Sequence, residues 1–371
     1  MNKLPIPPED PNVVRSLSDP KVFAQHLFSK PQYTNYLRFF ESEIAKRGVE
    51  ATVHEIVFAG DARAEDMLVR LFMGFVHPLI HLGFGLEFGQ PAIVAEALAQ
   101  AASHDNTLTG FFVEAEKKAA ERRARGEKPA RVVELLHAIR ANDKLRNAPH
   151  WDDSNKIYDG ILVRAPQEMI DVASRFWIDG EPTNEKLERA TAEMIDAVAF
   201  YTAGAQRPPK QVKFDFYFMH CVNSSIFFPT FLKQPWITNE QKARLLEWKV
   251  RVDLTMYASR AAPQILVNEI ARYKPKQLGK DARESWKEIF ERATVKDDDG
   301  HSAKFVRAVA HGKDYCGKFG DSEHLAMTPA LWDNFGHMVI DSVEDSGSTW
   351  ARSVGFDEAW VEFKDRPLAL L

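Results

Sequence analysis

Two cysteines, Cys221 and Cys316, in 371 residues cannot build a disulfide framework or a cysteine-rich zinc site. Their scarcity fits a reducing compartment, so a cytoplasmic protein is expected. An excess of basic charge is also missing. Forty-eight Lys and Arg stand against 53 Asp and Glu, a net charge of −5, so no nucleic-acid partner is expected. The longest nearly uncharged stretch, LFMGFVHPLIHLGFGLEF at 71–88, contains two histidines, a proline and a glutamate, which argues against a membrane span. The N-terminal MNKLPIPPEDPNVV has no apolar core of a secretory signal, and the terminal Leu368, Ala369, Leu370 and Leu371 carry no lipidation or retention motif. Walker A, GxSxG, CxxC and c-type haem motifs are absent. GFGLEFG at 83–89 holds a GxG, but it follows an apolar helical stretch and lacks the GxGxxG spacing. It is not read as a Rossmann turn.

Alternating strand runs bounded by hairpin turns are lacking too, and what remains is helical. The stretches 31–48, 91–104, 183–205, 238–262, 282–294 and 328–347 all carry helical signals. Gly48 is a stop signal, Pro91 a start, and Thr183 and Thr238 are N-cap candidates, with Gln241 in the capping-box position after Thr238. The expected fold is all-α, a single multi-helical bundle-like domain with buried histidine-bearing central helices. Residues 1–30 read as a partly irregular N-terminal extension and 31–371 as one helical body. GAQRPPKQ at 204–211 is the strongest breaker and the place where a subdivision would fall.

Two segments differ from the amphipathic rest. Residues 67–88 and 214–232 are apolar nearly all round, and such helices must be buried on every side. They carry His77, His81 and His220, and a buried imidazole needs partners for both ring nitrogens. His77 and His81, four apart in HPLIH, lie one turn apart on a helix. Pro78 replaces the glutamate of a zinc-protease HExxH and should bend or restart the helix, aided by Gly74. His220 shares a face with Asn223 and Ser224. These histidines read either as core groups bonded to carbonyls or as ligands of a metal or substrate. A third segment, 297–319, starts at Asp299 or Gly300 and puts His301, Lys304, Phe305, Ala308 and His311 within about a third of a helix circumference. A lysine on that face must be paired, deprotonated or modified, unless it snorkels to solvent.

The runs RLFMGFVHPLIHLGFGLEFGQPAIVAEALAQAASHD (70–105), YLRFFESEI (36–44), FYFMHCVNSSIFF (216–228), DDGHSAKFVRAVAH (298–311) and GFDEAW (355–360) together resemble the questin oxidase-like family. The matching pieces span nearly the whole chain. The resemblance implies an oxidoreductase acting on a small aromatic substrate, in oxidative tailoring or ring opening of aromatic polyketides such as anthraquinones. It also implies NADPH dependence and Baeyer–Villiger-type oxygen insertion. The chain has no flavin or NADPH fold signature, whereas its histidines suit a mononuclear non-haem iron. The expected centre is Fe(II) held by three or four of His77, His81, His220, His301 and His311, with O2 as co-substrate. Lys304, carbamylated or paired with a carboxylate, and Asn223 are the candidate catalytic residues. Phe72, Phe84, Phe216, Phe227 and Phe305 are candidates for an aromatic substrate pocket, with ordinary core as the other reading. Two alternatives stand beside this centre: an NADPH-dependent oxygenase with no protein-bound metal, and a non-catalytic binder of aromatic metabolites.

Overall fold

The computed structural model describes residues 7–320, 323–345 and 347–366, so of the terminal stretches read above for targeting signals the N-terminal one falls partly, and residues 368–371 wholly, outside it. Among the described residues the regular elements are helices, and only two isolated bridges occur, Lys210–Asp365 and Asp215–Ala351. The all-α expectation holds. The caps form as the sequence requires. Thr183 accepts from the Lys186 amide at the head of helix Asn184–Gly204. Thr238 and Gln241 make a reciprocal capping box, with bonds of 2.9 and 3.3 Å. Among the described residues no single helix is long and apolar enough to cross a membrane.

The chain divides into two compact units. The first comprises residues up to Val113 together with Phe227–Leu245. In it, helix Pro91–Ser103 packs on both Tyr33–Val53 and Met73–Glu87. Its Ala95, Ala97, Ala99, Ala101 and Ala102 point to different sides and are all fully buried, and such short side chains let backbones approach closely. Gly85 is part of that approach, since a Cβ there would stand 2.5 Å from Val94 Cγ2. Phe23, Tyr36, Phe39 and Phe40 form an edge-to-face cluster beside it. Gly48 does interrupt its helix, at φ 85°, but helical structure resumes to Val53 and continues as a π-turn over His54–Phe58. The apolar segment 67–88 is not one helix. It breaks into Ala62–Leu71 and Met73–Glu87, bent by 98°.

The second unit comprises Glu114–Ile226 and the chain from Leu246 onward. Helix Asn184–Gly204 packs on Phe216–Ser225 and His301–Gly317, and the last of these packs on Pro329–Glu344. Gly312 permits that last contact, because a Cβ would meet the Trp332 ring at 2.6 Å. The apolar segment 214–232 also splits, into Phe216–Ser225 and Phe228–Leu232, with Pro229 opening the second piece. Helix Asn239–Ser259 departs from an amphipathic reading in the part that belongs to this unit. There Glu247, Lys249, Arg251 and Asp253 are all buried and pair along the helix, Lys249 with Asp253 at 2.5 Å and Arg251 with Glu247 at 3.1 Å.

Candidate metal centre

In the first unit, HPLIH begins a helix after a conformational fault. Gly74, Phe75 and Val76 have φ of 56°, 56° and 60°, one turn of left-handed helix. That region is unfavourable for any side chain and most so for β-branched Val76. Right-handed structure restarts at His77. Pro78 therefore falls in a first turn, where its missing N–H breaks no bond. The turn aims the Gly74 carbonyl at His77, whose Nδ1 lies 2.7 Å from it. The His104 ring fills the space beside Gly74, where a Cβ would sit 2.3 Å from its Nε2. Burial pushes the His104 imidazole below its ordinary pKa. His81 follows the same pattern one turn on, with Nδ1 2.9 Å from the His77 carbonyl, but its Nε2 lies 3.7 Å from a Glu96 carboxylate oxygen.

In the second unit, His220 is buried on Phe216–Ser225 and His301 is half-buried at the start of His301–Gly317. Their rings stand 5.5 Å apart. His220 Nδ1 lies 2.6 Å from the Phe216 carbonyl, and His301 Nδ1 lies 2.6 Å from Asp299 Oδ1. Carbonyl and carboxylate oxygens only accept, so Nδ1 carries the proton in His77, His220 and His301 alike. The lone pair is then on Nε2 in each, the arrangement that outer partners impose on metal-bound histidines. His301 Nε2 is buried and has no hydrogen-bond partner. Two imidazoles 5.5 Å apart, one with an orphaned Nε2, fit a divalent transition metal.

The remaining expected residues are placed as follows. His311 stacks on Tyr315 at 6.0 Å. Ten residues along a helix is about 15 Å of rise, so it cannot bind the same ion as His301, although the two lie on similar faces. Lys304 is half-buried. Burial lowers its ammonium pKa, and the carboxylates of Asp299 and Asp298 act against that. Asn223 donates to Met219 Sδ, and its Oδ1 is buried without a partner. Ser224 is satisfied by the His220 and Cys221 carbonyls of its own helix. Phe216 touches both histidines of its unit, at 4.6 Å from His220 and 5.2 Å from His301. Phe305 packs among Phe214, Phe335 and Trp350. Phe72 packs on Phe112, and Phe84 and Phe227 pack on each other.

Residues absent from the sequence reading also line the pair in the second unit. Trp350 lies 6.4 Å from both Phe216 and His301, and the Arg352 guanidinium lies 4.9 Å from the Phe216 ring. Nothing in the local sequence around residue 350 marks it as part of a site.

A profile of the family described as questin oxidase-like matches residues 2–309. The chain belongs to the questin oxidase-like family. Among its relatives, a Baeyer-Villiger oxidase of Emericella nidulans is 41% identical over 97% of this chain and 80% of its own length. A Baeyer-Villiger oxidase of Pestalotiopsis fici is 39% identical over 96% and 80%. A questin oxidase of Aspergillus fumigatus is 38% identical over 97% and 81%. These questin oxidase-like relatives are oxidases by name, and the chain is an oxidoreductase of that family. HPLIH, His220 and His301 all fall within the matched residues.

Proposed function

We propose that the protein is an oxygenase that inserts oxygen into, or opens, the ring of an aromatic polyketide, with His220 and His301 among the ligands of a mononuclear non-haem iron(II) and His77 as a further candidate. The observation that carries the reading is the common state of the three imidazoles. Each is oriented through Nδ1 by an oxygen acceptor, and a buried unpartnered Nε2 on His301 awaits a ligand. Iron would supply an open coordination position for O2 or for an ionised phenol. The chain's own residues do the rest. Asp299 and the carbonyls of Gly74 and Phe216 fix ring orientation. Phe216 and Trp350 offer flat surfaces to a planar substrate, and the unpartnered Asn223 Oδ1 offers an acceptor. Lys304 places a cation two helix positions before Val306 on the helix that carries His301. Its nearest charged groups are the carboxylates of Asp299 and Asp298, in keeping with the paired form of the lysine.

The names of the relatives favour Baeyer–Villiger oxidation as the form of oxygen insertion, and a purely NADPH-driven version needs no bound metal. Metal analysis of the purified protein separates the two. Near one iron per chain is expected, lost in His220→Ala and His301→Ala. Metal-free protein that consumes NADPH only with substrate would overturn the iron assignment and support the second version.

A further inference from the structure

The segment that carries Trp350 and Arg352 is held in place for a purpose that the metal ligands do not explain. Ala351 donates its N–H to the Phe214 carbonyl at 3.0 Å and accepts from the Phe216 amide at 2.9 Å. Three residues on, the Val354 amide donates to Asp215 Oδ2 at 2.9 Å. Asp215 also caps the helix that carries Phe216 and His220, accepting from Tyr217 and Phe218. Residues 351–354 are thus stitched, through two backbone bonds and one to the Asp215 carboxylate, to the turn that launches one of the histidine helices. Trp350 and Arg352 both meet the Phe216 ring, and Trp350 also meets His301 and Phe305.

Arg352 is exposed, and its one recorded contact is with the face of Phe216. Among the described residues no carboxylate pairs with it and no carbonyl accepts from it. A guanidinium offers five N–H donors and keeps its charge at any physiological pH. The ring beneath it is the one that touches both His220 and His301.

We propose that Arg352 is the anion-recognising residue of the substrate site, binding an ionised phenol oxygen of a planar polycyclic aromatic whose ring system lies along Trp350 and Phe216. This rests on the oxygenase reading above for the nature of the substrate. It adds the group that selects the ionised form. An aromatic with a free acidic hydroxyl is preferred over its methyl ether, because only the former presents an oxygen anion to a fixed cation.

The test uses purified full-length protein with two probes, 2-hydroxyanthraquinone and 2-methoxyanthraquinone. Dissociation constants are read from quenching of tryptophan fluorescence between pH 6 and pH 10. The wild type is expected to bind the hydroxy compound increasingly well as it ionises, reaching roughly ten-fold over the ether, the effect of one charge-assisted contact. Arg352→Met keeps an apolar stem on Phe216 and is expected to lose that preference, with binding of the ether unchanged. Arg352→Lys should retain part of it. A preference in Arg352→Met equal to the wild type would overturn the proposal, as would a wild type that binds both probes alike at every pH. Metal content is measured on the same samples. A change there bears on the histidine ligands, and so the two readings fail separately.

Discussion

At the scale of single residues, the candidate centre depends on what stands behind each imidazole. Asp299 is the clearest case, because one carboxylate oxygen receives both the backbone N–H of His301 and its ring Nδ1. Removing such a partner typically lowers metal affinity by about 10- to 100-fold. Asp299 is largely exposed, which places the effect at the lower end. We expect Asp299→Ala to weaken iron retention about ten-fold without unfolding the protein, measured by competition with a chelator beside circular dichroism. Retention equal to the wild type would mean that His301 needs no outer partner. The residue scale also shows where reading the sequence by helix face falls short. His301 and His311 lie on similar faces, yet rise along the axis separates them. HPLIH offered two equivalent histidines, and only neighbouring elements distinguish them, His81 by approaching Glu96.

At the scale of the element, the turn Gly74–Val76 is the costliest feature of the first unit and the one that orients His77. A left-handed residue costs roughly 1–2 kcal/mol with a side chain, and here two of three positions bear one. At Gly74 the cost of a side chain is compounded, because the His104 ring occupies the Cβ position. Gly74→Ala is expected to destabilise by about 2 kcal/mol or more and to reduce bound iron, through the Gly74 carbonyl that holds His77 Nδ1. The double variant Gly74→Ala/His104→Ala removes the clash but not the left-handed strain, so it should recover part of the stability. Thermal unfolding with metal analysis on all three proteins checks this. Additive losses in the double variant would show that His104 and Gly74 do not interact. The break itself was foreseeable from Gly74 and Pro78, but its left-handed form was not, since Phe75 and Val76 disfavour it locally.

At the scale of the whole molecule, stability should depend on pH through buried carboxylates. Asp196, on Asn184–Gly204, is fully buried and accepts from the Ala326 and Met327 amides at 2.6 and 2.9 Å. Burial outweighs those bonds and pushes its pKa up to about 7. An unfolded Asp titrates near 3.9, so between about pH 4 and pH 7 the native state binds the proton more tightly. The sign follows: this contribution is fully present at acid pH and is lost as pH rises through about 7. The wild type is expected to lose stability to urea between pH 5 and pH 8. Asp196→Asn should lose less over the same interval, by roughly 1–3 kcal/mol, even though it starts less stable for want of one acceptor. Identical pH slopes in the two proteins would show that Asp196 is already ionised in the native state.

Local order was largely settled by the sequence itself. Helices, caps such as the Thr238–Gln241 box, and the need to bury 67–88 and 214–232 depend on interactions among residues within about four positions, all visible in one dimension. The family was legible for a related reason, since its motifs are short and contiguous. Which polar groups meet was decided only in three dimensions. His220 and His301 are 81 positions apart, and Trp350 reaches His301, and Arg352 the Phe216 ring between them, from a loop held by backbone bonds to Phe214 and Phe216. Such contacts arise from packing between elements, and no periodicity along the chain records them. The left-handed turn before His77 belongs with them, because the conformation that local preference rejects is held in place by the surrounding fold.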